Sequence, residues 1–327
     1  MMKPMIQDVL VNKIRESIPK GTNLTNYLSD LLNIGRESVY RRIRGEINFT
    51  FEEVVTLSQD LGFSLDNLVG VKKEANALFN IHMLQKIDYY DIYVNKMLEY
   101  GRLFRETSEK MPTKARISVN TLPYFFHINY EALSKLRIYK WLYQNQKIKP
   151  GDKYSDYILP KKVLDAHKAF FQDIQKVPHI TMIMDNDVFW SVAKDIEYFW
   201  KRNLLSDDDL VVLKAELHKI VDALECMATE GICRNGVKVE MYVSAVDLEA
   251  SYLHYEYGDH QFAQVRIFSI SGIDSFDEGI CKIQKEWMES QKRYCVLISE
   301  SGEMQRFEYM NKQREYINNI SKEGRWI

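Results

Sequence analysis

The sequence predicts a mainly α-helical protein with an α+β part at its C-terminus. Apolar residues recur at helical spacing from the start of the chain to about residue 230. Between residues 71 and 230 the only glycines are Gly101 and Gly151, whereas seven follow residue 230. There the apolar period also changes to the two residues of a strand. We therefore expect three regions: residues 1–70, 71–230 and 231–327.

The first region is predicted to hold several short helices. Residues 6–18 place apolar side chains at helical spacing and predict the first helix. The stretch 25–44, TNYLSDLLNIGRESVYRRIR, predicts two more helices that fold across a tight turn. Ser29 is small enough to let the second of these helices approach closely. Asn33 and Gly35 are expected to form the turn, because both residue types tolerate unusual backbone angles.

The helix predicted at 36–44 has an unusual charge. It carries four arginines and one acidic residue, a net of 4 − 1 = +3: Arg36, Arg41, Arg42 and Arg44 against Glu37. Neutralising DNA phosphates releases counterions and supplies much of the affinity of DNA-binding proteins. This helix is therefore suited to face a duplex.

Three positions in this stretch carry a family resemblance. A small residue four positions after Thr25, a turn residue at Asn33 and an aliphatic residue at Val39 form a pattern that resembles the helix-turn-helix of Cro-like phage repressors, the XRE-type regulators. The next segment, RGEINFTFEEVVTLSQDLGFSLDNLVG, resembles the two helices that follow in that family. The resemblance covers residues 7–70 and implies a lambda-repressor-like domain. The family usually has Gln at the position of Thr25 and an apolar residue at that of Arg42.

The resemblance also implies which residues contact double-stranded DNA. Side chains at the N-terminal end of the recognition helix would read bases, those further along would line the groove, and helix ends would bind phosphates. The implied contacts are Arg36, Glu37 and Ser38 to bases, Tyr40 and Arg41 at the groove wall, and Arg42, Arg44, Thr25 and Thr50 to phosphates. The alternative is that the same helices form a bundle that binds a protein, as in an adaptor or scaffold.

The overall charge gives little indication of DNA binding. The 327 residues have a formal net charge of −2, and residues 1–70 contain eight basic and nine acidic residues. The basic residues would thus be confined to one face, and a single domain would bind DNA weakly. We therefore expect the protein to bind DNA as a homodimer. Its interface could be a heptad-like seam from Met83 to Phe104 or an edge of the C-terminal sheet, and the seam could instead face an internal core.

Signatures of enzymes, metal sites and membrane spans are absent from the sequence. No common nucleotide-binding or hydrolase motif occurs, and the four cysteines lack zinc-ligand spacing. We therefore expect no catalytic activity, cofactor or metal, although an unidentified ligand or protein could bind residues 71–327. Tyr252, His254 and Glu256 lie on one face of a predicted strand. We expect this face to be solvated. No long uncharged apolar run occurs, so we expect a cytoplasmic protein without a membrane partner.

The elements of the other two regions follow from the same patterns. Helices are predicted from about residue 71 to 109 and near 123–146, 160–177, 186–202 and 206–230. Strands are predicted at 237–245, 250–257, 262–270 and 294–299, with helices at 275–291 and 302–320. The strand order with two helices predicts a small antiparallel α+β module at 231–327.

Overall fold

The computed structural model describes residues 6–18, 22–61, 63, 65, 68, 79–81, 89–233, 235–267 and 271–321. The chain divides into two compact units, Met1–Asn76 and Ala77–Ile327. The boundary predicted at residue 70 lies outside the described residues.

The described part of the first unit includes the helices α1 (Ile6–Ser17), α2 (Leu24–Leu32), α3 (Arg36–Ile43) and α4 (Phe51–Leu61). Asn23 caps α2, because its side-chain oxygen accepts a hydrogen bond from the backbone of Asn26 at 3.1 Å. A small core joins the helices, and its fully buried members are Ile14, Leu28, Val39 and Leu57. The spacing of apolar residues therefore predicted both the helices and the faces they bury.

The second unit is built on one eight-stranded mixed sheet with the order β1-β7-β6-β5-β2-β3-β4-β8. The strands are β1 (Asn80–Ile81), β2 (Thr113–Val119), β3 (His179–Met184), β4 (Lys238–Ser244), β5 (Tyr252–Tyr257), β6 (His260–Ile267), β7 (Ser271–Ser275) and β8 (Cys295–Leu297). Strands β2, β3 and β4 are parallel, and every other pairing is antiparallel.

The prediction of a helical region 71–230 beside a separate antiparallel module 231–327 is wrong. Strands β2 and β3 belong to the first of these regions, yet they pair with β5 and β4 of the second. Parallel strands require long crossover connections, which here are helical. Both strands lie in gaps between the predicted helices, where no strand was predicted.

Helices of the second unit largely occupy their predicted positions, except that strand β1 lies within the helix predicted from about residue 71 to 109. They are α5 (Tyr89–Lys110), α6 (Tyr124–His127), α7 (Glu131–Gln144), α8 (Lys161–Ile174), α9 (Trp190–Lys201), α10 (Asp207–Glu230), α11 (Glu278–Gln291) and α12 (Glu303–Asn319), with a 3₁₀ turn at Lys292–Tyr294. A capping box between Ser206 and Asp209 opens α10. Among the described helices, none has both the length and the apolarity needed to cross a membrane.

Residues of the heptad-like seam lie inside the second unit. Its positions Met97, Gly101 and Phe104 on α5 are buried, and Tyr90 and Val94 are half-buried against the same core, which α8 shares. Gly101 is needed at this contact, since a Cβ atom there would lie 2.8 Å from a carboxylate oxygen of Asp173. Met83 and Ile87, the first seam positions, are outside the described residues. The described part of the seam is therefore a core-facing stripe and is not available as a dimer interface.

Candidate functional site

The turn between α2 and α3 is fixed by its backbone. Asn33 ends α2 in the left-handed conformation, with φ 52° and ψ 45°. Ser29 donates a hydrogen bond from its hydroxyl to the carbonyl of Ile34 at 2.6 Å and so holds the chain as it leaves α2. Gly35 has ordinary extended angles, φ −64° and ψ 147°, so the unusual angles expected there occur at Asn33.

Val39 sets the orientation of α3, because its side chain is fully buried in the core of the first unit. The side chains on the opposite side of the helix are left exposed: Arg36, Glu37, Tyr40, Arg41 and Arg44. Ser38 is half-buried. Six of the nine predicted contact residues therefore lie together on α3 and at its end, where a partner can reach at least part of each side chain.

Arg42 does not belong to the exposed set. Its guanidinium lies 2.8 Å from the carboxylate of Glu53, and both side chains are largely buried. Its Nη1 also donates to the carbonyl of Ser38 at 3.2 Å. The phosphate-binding role implied for Arg42 is therefore not favoured by this geometry, in which the side chain joins α3 to α4.

The two predicted threonines have different environments. Thr25 is buried on α2, with 8% of its surface exposed, so its hydroxyl is poorly placed for a phosphate. Thr50 is exposed and caps α4, since its hydroxyl accepts a hydrogen bond from the backbone of Glu53 at 3.2 Å. The Glu53 carboxylate accepts in return from the Thr50 backbone at 2.8 Å, which completes a capping box.

Carboxylates reduce the positive charge of the exposed α3 face. Arg44 lies 3.1 Å from Glu46 and 3.5 Å from Glu37, and Arg41 lies 3.5 Å from Glu46. Arg36 has no ion pair among the described residues. Three exposed arginines thus face two glutamates, a net of 3 − 2 = +1. Exposed pairs of this kind are weak and can exchange partners.

Two residues that support this face were not singled out from the sequence. Gln7 on α1 is buried, and its amide donates to the carbonyls of Arg42 and Ile47 at 3.0 Å each, which fixes the end of α3. Glu53 was recognisable as the fourth residue of a T-x-x-E capping pattern that begins at Thr50. No local pattern marks Gln7, because its partners are 35 and 40 residues away.

Tyr252, His254 and Glu256 on β5 do not form the solvated surface that we expected. Helix α11 covers this face of the sheet, and His254 is fully buried beneath it. Arg116 on β2 donates to Glu256 at 2.6 Å and to Glu289 of α11 at 2.8 Å. Burial lowers the pKa of His254, and the carboxylate of Glu256 is paired with Arg116 and Lys285. This geometry is that of an ion-pair network between sheet and helix.

No family model, curated protein or solved structure matches the chain. The described residues contain no group of three or more His, Cys, Asp and Glu side chains arranged to hold a metal ion. Most of the predicted DNA-contact residues lie on the exposed α3 face, which is therefore the candidate functional site.

Proposed function

We propose that the protein is a sequence-specific DNA-binding transcriptional regulator and that α3 enters the major groove. The observation that carries this proposal is the row of exposed side chains on α3 opposite the buried Val39. Arginine at the start of such a helix can donate two hydrogen bonds to a guanine edge, and arginine near its end can bind phosphates. The resemblance to Cro-like repressors supports the same docking mode.

Contact residues in this proposal follow the exposure of each side chain. Arg36, Glu37 and Ser38 reach base edges, Tyr40 and Arg41 contact the groove wall, and Arg44 binds phosphate. Thr50 lies exposed at the start of α4, where its backbone could also approach a phosphate. Arg42 and Thr25 act indirectly, by fixing α3 to its neighbours.

Homodimerisation is part of the proposal, because a face with a net charge of about +1 gives one unit little affinity for DNA. Two copies on half-sites about one helical turn apart would add their contacts. With the seam buried, the exposed side chains Val296 and Leu297 on the edge strand β8 offer the second interface considered from the sequence.

A protein-binding adaptor is the second candidate. The low net charge of the α3 face favours it, as do two large exposed side chains of the first unit, Tyr40 at 48% and Phe51 at 77% exposure. Aromatic residues are enriched at protein interfaces, whereas a DNA-binding face depends on cations.

A genomic-fragment selection with purified full-length protein tests the proposal and identifies the operator in one experiment. We expect enrichment of fragments that share a two-fold symmetric motif. The control is the variant Arg36→Ala with Arg44→Ala, which keeps the core of the unit and removes two exposed cations. Equal recovery of random fragments by the wild type and by this variant would contradict DNA recognition through α3 and would favour the adaptor.

A further inference from the structure

A cavity of about 200 Å³ lies in the second unit between the sheet and helices α5 to α8. Its walls are mostly aromatic and aliphatic. The aromatic side chains that line it include Tyr93, Tyr100, Phe104, Tyr124, Phe170 and Tyr252. Lys96 lines the same cavity and also binds the exposed Glu99 at 3.0 Å, so the cavity approaches the surface beside these two residues.

Two arginines also line this apolar cavity, Arg137 from α7 and Arg266 from β6. The guanidinium of Arg137 lies 5.4 Å from the ring centre of Tyr124, and its Nε is buried without a hydrogen-bond partner among the described residues. Arg266 donates a hydrogen bond to the hydroxyl of Thr121. These contacts are with neutral groups and leave both positive charges uncompensated.

Neither arginine has a carboxylate partner in the described part of the chain. No carboxylate there lies within 4 Å of either guanidinium, whereas other arginines of the unit, such as Arg116, are paired. Burial, followed by the charge of Arg137, lowers the pKa of Arg266 to about 10. Burial also lowers the pKa of Arg137. Arginine nevertheless stays protonated in proteins, so the cavity holds two cations that repel each other.

Titratable groups beside the arginines do not supply negative charge. Burial, followed by the charges of Arg137 and Arg266, lowers the pKa of His127 to about 3, so this histidine is neutral at pH 7. Burial raises the pKa of Tyr93 to about 12 and also raises that of Tyr124, so both hydroxyls stay protonated. Arg137 and Arg266 are both half-buried, and cations that are largely removed from water without anionic partners are rare in folded proteins, because desolvating an ion is costly.

We propose that the cavity binds a small organic acid, with its anionic head at Arg137 and Arg266 and a flat apolar body against the aromatic walls. A guanidinium presents paired donors that match a carboxylate or a phosphate. A cavity of roughly 150 Å³ can hold benzene. A cavity of about 200 Å³ therefore has room for one aromatic ring with a short acidic arm.

The test uses purified full-length protein and three probes of similar size: 3-phenylpropanoate, phenyl phosphate and the neutral 3-phenylpropan-1-ol. Isothermal titration calorimetry measures their dissociation constants. We expect at least one anion to bind about tenfold more tightly than the alcohol, and the tighter anion identifies the head group as a carboxylate or a phosphate ester. If neither anion binds more tightly than the alcohol, the proposal fails. This result needs no variant and does not involve DNA, so it is independent of the proposed function.

Three variants test the assigned residues. Arg137→Gln and Arg266→Gln should each weaken binding of the preferred anion by about tenfold or more. The control Arg102→Gln, at an exposed arginine of α5, should bind the anion as the wild type does. Thermal unfolding without ligand adds a second measurement. Removing an uncompensated, half-buried cation should raise the melting temperature of the unliganded protein. A lower melting temperature with unchanged anion binding would assign the arginines a purely structural role and overturn the proposal.

Discussion

The carboxylate of Glu53 binds both α3 and the start of α4, because it accepts two hydrogen bonds from Arg42 and one from the backbone of Thr50. The Arg42 bonds join Nη2 to Oε1 at 2.8 Å and Nε to Oε2 at 3.0 Å. The Thr50 bond is 2.8 Å long. One side chain thus caps a helix and fixes its neighbour, so the position of the proposed recognition helix depends on Glu53.

Arg42→Ala should destabilise the first unit by about 1–3 kcal/mol, since it leaves a largely buried carboxylate without its cation. Hydrogen exchange of the α3 and α4 amides reports the stability of this unit by itself. The control is Arg44→Ala, whose exposed ion pairs should contribute less than about 1 kcal/mol. Equal exchange rates in the two variants would argue against a special role for the Arg42–Glu53 pair.

Arg36→Ala should cost about 1–3 kcal/mol of binding free energy on the selected operator and relax the preference at one base pair. The reason is that Arg36 is exposed at the start of α3 and has no ion pair among the described residues. Fluorescence anisotropy with operator and random duplexes measures both effects. Arg15→Ala, at an exposed arginine of α1, is the control. If operator and random DNA lose affinity by the same factor, Arg36 does not read a base.

Arg44→Ala should weaken binding to all sequences alike and lower the salt slope by about one unit, as expected for one phosphate contact. The converse variant is Glu46→Gln. It removes the carboxylate 3.1 Å from Arg44 and should strengthen binding to every duplex. Titrations at several salt concentrations measure the slope. An unchanged slope in Arg44→Ala would exclude Arg44 from the phosphate contacts.

Val94→Glu should lower the stability of the second unit, because Val94 packs against the core that contains Tyr93 and Phe104. The neighbouring exposed position provides the control Asn95→Glu. Sedimentation velocity at micromolar concentration should show a dimer for the wild type and for the control. A wild-type monomer would contradict dimerisation. A folded Val94→Glu protein that is monomeric, with unchanged stability, would restore the seam as the interface.

Acid should destabilise the second unit through His167. Its Nε2 lies 2.9 Å from the hydroxyl of Tyr93 and its Nδ1 lies 3.2 Å from that of Ser134. Burial, with a smaller effect from the charge of Arg137, lowers its pKa to about 3. Above pH 6.5 the histidine is neutral in both the folded and the unfolded state. Below pH 6.5 only the unfolded state takes up the proton, so stability falls as the pH decreases towards 3.

Each such histidine contributes about 1.4 kcal/mol of lost stability per pH unit below its unfolded pKa. His167→Gln should therefore reduce the difference in unfolding free energy between pH 7 and pH 5 by about 2 kcal/mol. Urea unfolding at the two pH values measures it. The control His260→Gln removes an exposed histidine. An equal change in both variants would show that the effect does not come from burial of His167.

The sequence by itself determined the helices of the first unit, the turn at Asn33 and the exposed row on α3. These features depend on residues a few positions apart: the spacing of Leu28, Leu32 and Val39, and the cap residues Asn23 and Thr50. Most of the strand-and-helix order after residue 230 was predictable for the same reason, since an alternating pattern such as that around Val239 specifies a half-buried strand locally. Strand β7 was not predicted.

Only the tertiary structure decided which of these side chains are free to bind a partner. Arg42 carries the same charge as Arg36, yet it is paired with a carboxylate eleven residues away. Strand β2 pairs with β3 across an intervening block of helices, and Arg137 meets Arg266 at one cavity although 129 residues separate them. Parallel pairing and shared cavities join distant segments, and no periodicity in a short window records which segments will meet.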